Sequence, residues 1–192
     1  MKTSGEAELL SFLRAIDARL DVDGFKGRVD LYVFGGAAAV IAYGSKRGTV
    51  DIDALVQHEG VRMKLEEWAG KGSALAVEHG LYFQRANTTL MPIVEPDWME
   101  RSVEILKGSL EHFRVWALGK EDLILSKLGR YNDRDRGDIQ FIAEAHRVDV
   151  GKLIACYKTA RKFYIGPLAT LDQTFNIVLE EHFGHPPLEL EA

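Results

Sequence analysis

A single cysteine, Cys156, stands in a chain of 192 residues, so no intrachain disulfide can form. Stability must come from a packed core, and a reducing compartment is the expected setting. The five prolines form no linker with Gly and Ser, which excludes a long flexible joint. No apolar run approaches the roughly 20 residues that cross a bilayer. The first residues, MKTSGEAELLSFLRAIDARL, lack the pattern of a secretory signal, because Glu6, Glu8 and Asp17 interrupt the apolar positions. Positive charge is in the minority, with 24 Lys and Arg against 29 Asp and Glu. A net charge of −5 argues against a broad nucleic-acid-binding surface, while a local basic groove stays compatible with it. The six histidines are scattered, and no Ser-His-Asp arrangement is visible. His182 and His185 are close enough to share a metal on a helix, but next to Pro186 and Pro187 they read as surface residues. A cytoplasmic protein without membrane attachment is the expectation.

What is present is a core-forming composition, 46 % hydrophobic, enough for one domain or a domain with a small appendage. Leu9, Phe12, Leu13, Ile16 and Leu20 recur at helical spacing and predict a helix over 3–20, with Thr3 and Glu6 as a capping box. A strand over 29–34, a helix over 37–43 stopped by Gly44, and a strand over 50–56 follow. Val61, Leu65, Trp68 and Ala69 predict another helix. Weaker strands are expected at 75–83, 88–94, 103–106 and 113–118, with a turn at Lys107-Gly108-Ser109. After Leu118 the period changes, and 120–131, 135–146, 150–163 and 167–183 all read as helices. The expectation is an α+β protein. Residues 1–118 form an α/β unit, 119–185 a helical bundle packed on it as one rigid body, and 186–192 a loose tail. Cys156, among Leu153, Ile154 and Tyr157, reads as a small core residue rather than a nucleophile.

The chemistry concentrates between Leu31 and Val56, in LYVFGGAAAVIAYGSKRGTVDIDALV. Gly35 and Gly36 sit where a strand hands over to a helix. Without Cβ atoms a phosphate can approach the backbone, and the helix N-terminus adds a partial positive charge. Taken alone, the pair reads better as a simple turn between strand and helix. Asp51 and Asp53 flank Ile52, so on a strand both carboxylates share one face and can hold Mg²⁺ between them. Solvated acids on a strand edge are the alternative, but the apolar neighbours Val50, Ile52 and Ala54 place this strand against a core. Ser45, Lys46 and Arg47 precede the acids. Lys46 reads as a solvated loop charge, and Arg47 as a phosphate contact.

Gly35-Gly36, a helix, and then Arg47-x-Thr49-x-Asp51-Ile52-Asp53 resemble the signature of the nucleotidyltransferase superfamily related to DNA polymerase beta. Asp51 follows Gly36 by fifteen positions. The resemblance is closest to the branch of the AbiEii-type toxins of bacterial toxin–antitoxin systems. A second segment supports it: Glu121-Asp122-Leu123-Ile124-Leu125-Ser126-Lys127-Leu128, then Arg134-Asp135-x-x-Asp138, is similar to the helical motif those relatives carry after their sheet. The resemblance covers about residues 29 to 147 and implies a mixed sheet flanked by helices, followed by a helical bundle. It implies that Gly35, Gly36, Ser45, Arg47 and Thr49 bind an NTP, with ATP and CTP not distinguished. It implies that Asp51 and Asp53 hold Mg²⁺ and that the acceptor is tRNA or protein, with an antitoxin as partner. On a helix, Lys127 lies along the apolar stripe with Ile124 and Tyr131, so it snorkels out or meets a buried anion. A salt bridge of Asp138 with Lys127, Arg130 or Arg134 is one explanation. The other is that Lys127 reaches the phosphates while Asp138 orients it, with Arg134 in support.

The superfamily usually adds a third carboxylate from a later strand. Glu78, on the strand expected at 75–83, is the first candidate, followed by Glu95 and Asp97. If none serves, the chain binds a nucleotide, or a partner, without transferring anything. Ser45 is the residue that would replace the serine hydroxyl missing from this Gly-Gly turn.

Overall fold

The computed structural model describes residues 4–86 and 96–190, and these form two compact units. The first unit takes in residues 4–86 and 101–118, and the second 96–100 and 119–190. The expected strand at 88–94, Thr3 and Glu95 lie outside the described residues.

The first unit runs α1 (Glu6–Val22), β1 (Val29–Val33), α2 (Gly35–Tyr43), β2 (Asp51–Val56), α3 (Glu59–Ala69), α4 (Ala74–His79), β3 (Tyr82–Arg85), β4 (Val103–Ile105) and β5 (Phe113–Ala117). The strands form one mixed sheet in the order β3-β2-β1-β5-β4. β1 pairs antiparallel with β2 and parallel with β5, β2 pairs parallel with β3, and β4 pairs antiparallel with β5. The alternation of β1, β2 and β5 explains which face is covered. Leu31, Val33, Ile52, Ala54, Val56, Val115 and Ala117 point into the core. α1 closes that core with Leu9, Phe12, Leu13, Ile16 and Leu20, all buried, and packs with α2, α3 and α4. Its first turn is capped by Glu8, whose Oε2 accepts from the Gly5 N–H at 3.1 Å, so Glu6 is not the capping acid. The opposite face of the sheet carries Asp30, Tyr32, Asp51, Asp53, Gln84, Arg114 and Trp116, all partly or fully exposed. Tyr32 stacks on Trp116 at 6.2 Å, and Asp30 accepts from Trp116 Nε1 and Arg114 at 2.8 Å each.

The strand expected over 75–83 is instead a short helix, α4, followed by β3. Ser73 Oγ caps the helix by accepting from the Ala76 N–H at 3.1 Å, and Gly80 ends it in the left-handed region at φ 64°. Six residues are too few to show a helical period, so Val77, Tyr82 and Phe83 dominated the reading.

The second unit holds a 3₁₀ turn (Pro96–Met99), α5 (Lys120–Leu125), α6 (Asp133–Ala145), α7 (Val150–Ala160), a 3₁₀ turn (Arg161–Phe163) and α8 (Leu168–Phe183). α5 packs on α6 and α7, and α6 on α8. Tyr157 and Phe175 stack at 3.7 Å in its core. Arg161 grips Asp172 with two bonds of 2.7 and 2.8 Å, and this contact first of all holds the Asp172 carboxyl below its usual range. The tail expected to be loose is tied at Leu188, whose N–H and C=O both bond to the Asn176 side chain. Among the described residues no helix is long and apolar enough to cross a membrane.

Candidate functional site

Antiparallel pairing sets the exit of β1 beside the entry of β2. The Phe34 N–H donates to the Asp53 carbonyl at 2.8 Å, and α2 begins at the next residue. Gly35 takes φ +57°, a conformation that favours glycine, and a Cβ built there would lie 3.3 Å from Asp53 Oδ2. A Cβ at Gly36 would lie 3.1 Å from Thr49 Oγ1. The glycine turn and the acids therefore share one surface. The N-cap residue of α2 is Phe34, whose side chain makes no cap bond, and the first N–H groups and positive dipole end of the helix lie at this surface.

Asp51 and Asp53 are half-buried on the same face of β2. Thr49 and Tyr82 hold Asp51 from two sides: Thr49 Oγ1 donates to Oδ1 at 3.0 Å, and the Tyr82 hydroxyl to Oδ2 at 3.2 Å. Thr49 is itself fixed by paired backbone bonds with Ser4 of 2.7 and 3.0 Å. Burial and then the negative charges of Asp51 and Asp53 push the Tyr82 phenol up, which keeps it a donor. The donor set is hard oxygen, half sheltered, beside a helix N-terminus. Mg²⁺ takes oxygen ligands, often one or two carboxylates, and completes its shell with waters and substrate phosphates. These residues fit such an ion.

β3 pairs Tyr82 with Asp51 and Gln84 with Asp53, so it offers no third carboxylate opposite the pair. Glu78 lies on α4, not on a strand, and is exposed. Asp97 is exposed in the 3₁₀ turn. Ser45 is buried just past the C-terminal end of α2, and its nine residues set Gly35 roughly 13 Å away along the helix. Its Oγ accepts from the Arg47 N–H at 3.5 Å, which shapes the turn that carries Arg47. Lys46 and Arg47 are both exposed.

The second unit contains the other predicted residues. α5 ends at Leu125, so Lys127 stands in the following turn and not on a helix. The turn tightens there: the Lys127 and Leu128 N–H groups reach back three residues, to Ile124 and Leu125. Lys127 is buried and donates to Asp138 Oδ2 at 2.5 Å, with Asp135 Oδ1 at 3.7 Å. The salt-bridge reading of Asp138 is thus correct, with Lys127 as a partner. Arg130 instead clasps Asp135 with two bonds of 2.8 and 2.9 Å. Burial pushes the Asp135 carboxyl up, but Arg130 and Lys127 outweigh it and hold the group below its usual range. Arg134 is exposed, and its backbone N–H donates to Asn132 Oδ1 in the cap of α6.

Sequence reading missed Tyr82 and Gln84, because only strand register sets them opposite the acids. It also left Asp135 without a role. Its signal was legible: Asn132 three residues before Asp135 is a capping pattern, and the structure shows both halves of it.

No curated protein and no solved structure matches the chain. A family model described as "Nucleotidyltransferase of unknown function (DUF6036)" matches residues 11–176. With most of its length covered, including the glycine turn, both acids and the Lys127–Asp138 segment, the chain belongs to this nucleotidyltransferase family.

Proposed function

We propose that the chain moves a nucleoside monophosphate from an NTP, ATP or CTP, to a hydroxyl acceptor, with Mg²⁺ held by Asp51 and Asp53. The observation that carries this is the junction of Gly35 with Asp53 and of Gly36 with Thr49, which couples a phosphate-accepting backbone to a carboxylate pair. Bound Mg²⁺ supplies charge neutralisation on the phosphates and on the oxygens that attack and leave. The N–H groups at the start of α2 orient the triphosphate, and Thr49 and Tyr82 hold Asp51 in the geometry a ligand needs. Arg47 meets the outer phosphates, with Ser45 acting through it. The resemblance to AbiEii-type toxins supports tRNA or protein as acceptor and an antitoxin as partner.

One observation favours a second reading, a nucleotide- or partner-binding protein that does not catalyse. The neighbouring strand sets Tyr82 and Gln84, not an acid, opposite the pair. Incubation with each α-labelled NTP, Mg²⁺ and total cellular RNA or protein separates the two. Label transfer that falls by at least about 100-fold in Asp51→Asn and Asp53→Asn supports the enzyme. Mg²⁺-dependent NTP binding without transfer supports the binding protein. Absence of NTP binding overturns the enzyme and the nucleotide-binding protein and leaves a scaffold or a purely partner-binding role.

A further inference from the structure

A second group of ligating side chains lies in the first unit and includes neither Asp51 nor Asp53. One donor atom from each of Asp21, Glu111 and His112 falls within 4.8 Å of the others. Asp21 is in the last turn of α1, and Glu111 and His112 lead into β5. The two acids are exposed, so their carboxylates can turn without disturbing the core. His112 is the fixed member, only 3 % exposed, with Phe25 packed edge-on against its ring at 5.6 Å.

The imidazole is set up as a ligand. Its Nδ1 lies 3.2 Å from the Gly27 carbonyl. A carbonyl only accepts, so Nδ1 carries a proton, and Nε2 is the nitrogen left to offer its lone pair to a metal. That Nε2 is buried and has no hydrogen-bond partner among the described residues. Its nearest charged neighbour is Asp21 Oδ1 at 3.8 Å, too long for a hydrogen bond. Two ligands on one tetrahedral ion, with bonds of about 2.0–2.2 Å, stand about 3.4 Å apart, so a small turn of Asp21 closes the gap. A backbone carbonyl on the far ring nitrogen is the usual support of a metal-bound histidine.

The segment that bears the ligands is also held rigid. Buried Asp17, one turn before Asp21 on α1, accepts from the Glu111 N–H at 2.8 Å and the His112 N–H at 2.9 Å. The C-terminal end of α1, with its partial negative charge, adds attraction for a cation.

We propose that Asp21, Glu111 and His112 bind a divalent cation of the Zn²⁺ class, which clamps the end of α1 to the segment before β5. The imidazole selects a borderline transition ion over Mg²⁺, and two carboxylates leave a position for water. The site stands independently of the nucleotidyl-transfer reading.

Titration of the metal-stripped full chain with Zn²⁺, followed by calorimetry, and with Co²⁺, followed by visible absorption, tests this. One equivalent of Zn²⁺ is expected, with binding weakened about tenfold or more in His112→Gln and in the double variant Asp21→Asn/Glu111→Gln. The double variant alters only exposed side chains, so it keeps the test sound if His112→Gln fails to fold. Binding is expected to persist in Asp51→Asn/Asp53→Asn. No stoichiometric Zn²⁺ binding by the wild-type chain overturns the proposal. So does full binding by the double variant, or loss of binding in Asp51→Asn/Asp53→Asn alone.

Discussion

Thr49 does two jobs with one short side chain. It fills the space over Gly36, and its hydroxyl bonds to Asp51. Thr49→Val keeps the shape and removes the donor. Stability is expected to fall by about 1 kcal/mol, the usual worth of one hydrogen bond, while transfer falls about 10- to 100-fold, as for other supports of metal ligands. Thermal unfolding and a kcat measurement check the two numbers separately. Gly35→Ala acts differently, because the residue must hold φ +57° with its Cβ 3.3 Å from Asp53 Oδ2. A loss of about 1–3 kcal/mol is expected from the backbone alone, together with weaker NTP binding, read by denaturant unfolding and calorimetry. The glycines and acids were legible from their chemistry. The Thr49 bridge was not, because nothing in the string says that residue 49 folds back onto residue 36.

At the scale of elements, the turn between α5 and α6 carries the buried charge. Lys127 and Asp138 are both almost fully enclosed. Lys127→Met removes the cation that meets Asp138 at 2.5 Å and Asp135 at 3.7 Å, and a loss of about 3–5 kcal/mol is expected in denaturant unfolding. Lys127→Met/Asp138→Leu is expected to lose less than the single variant, since the buried Asp138 charge leaves together with the cation that it meets. Asp135 makes a pH prediction. Its folded pKa lies below the unfolded one, so its contribution is complete above the unfolded value of about 3.9 and is lost as pH falls through the lowered folded value. Wild-type stability should therefore drop below about pH 4. Asp135→Asn should be less stable at neutral pH and show a flatter acid limb in unfolding measured from pH 2 to 7. Helix periodicity located α6, α7 and α8 well, because each is long and one-sided. It overran α5, because Lys127, Leu128 and Tyr131 keep an apolar rhythm through a turn that is no longer helical. It missed α4 for the opposite reason: six residues between Ser73 and Gly80 make fewer than two turns, too few for a stripe to repeat, and the caps alone mark the helix.

For the whole molecule, ligand linkage is the broadest check on the proposed nucleotide site. A Mg²⁺–NTP complex at about 100 times its Kd stabilises the folded chain by about 2.7 kcal/mol. A rise of the unfolding midpoint with Mg²⁺ and NTP together, absent after chelation and absent in Asp53→Asn, is the expected outcome in a thermal shift assay. The amino-acid string by itself determined the class of elements, the one-sided strands of the sheet and the residue types of the site. These are local properties: a period of two or 3.6, a glycine without a Cβ, two oxygen donors one residue apart. Tertiary structure alone decided the rest. Antiparallel register brought Gly35 to Asp53, β3 set Tyr82 and Gln84 opposite the acids, and one loop carried His112 to Asp21. Such contacts join residues far apart in the chain, and their energy comes from closing the core around them, so no local pattern announces them.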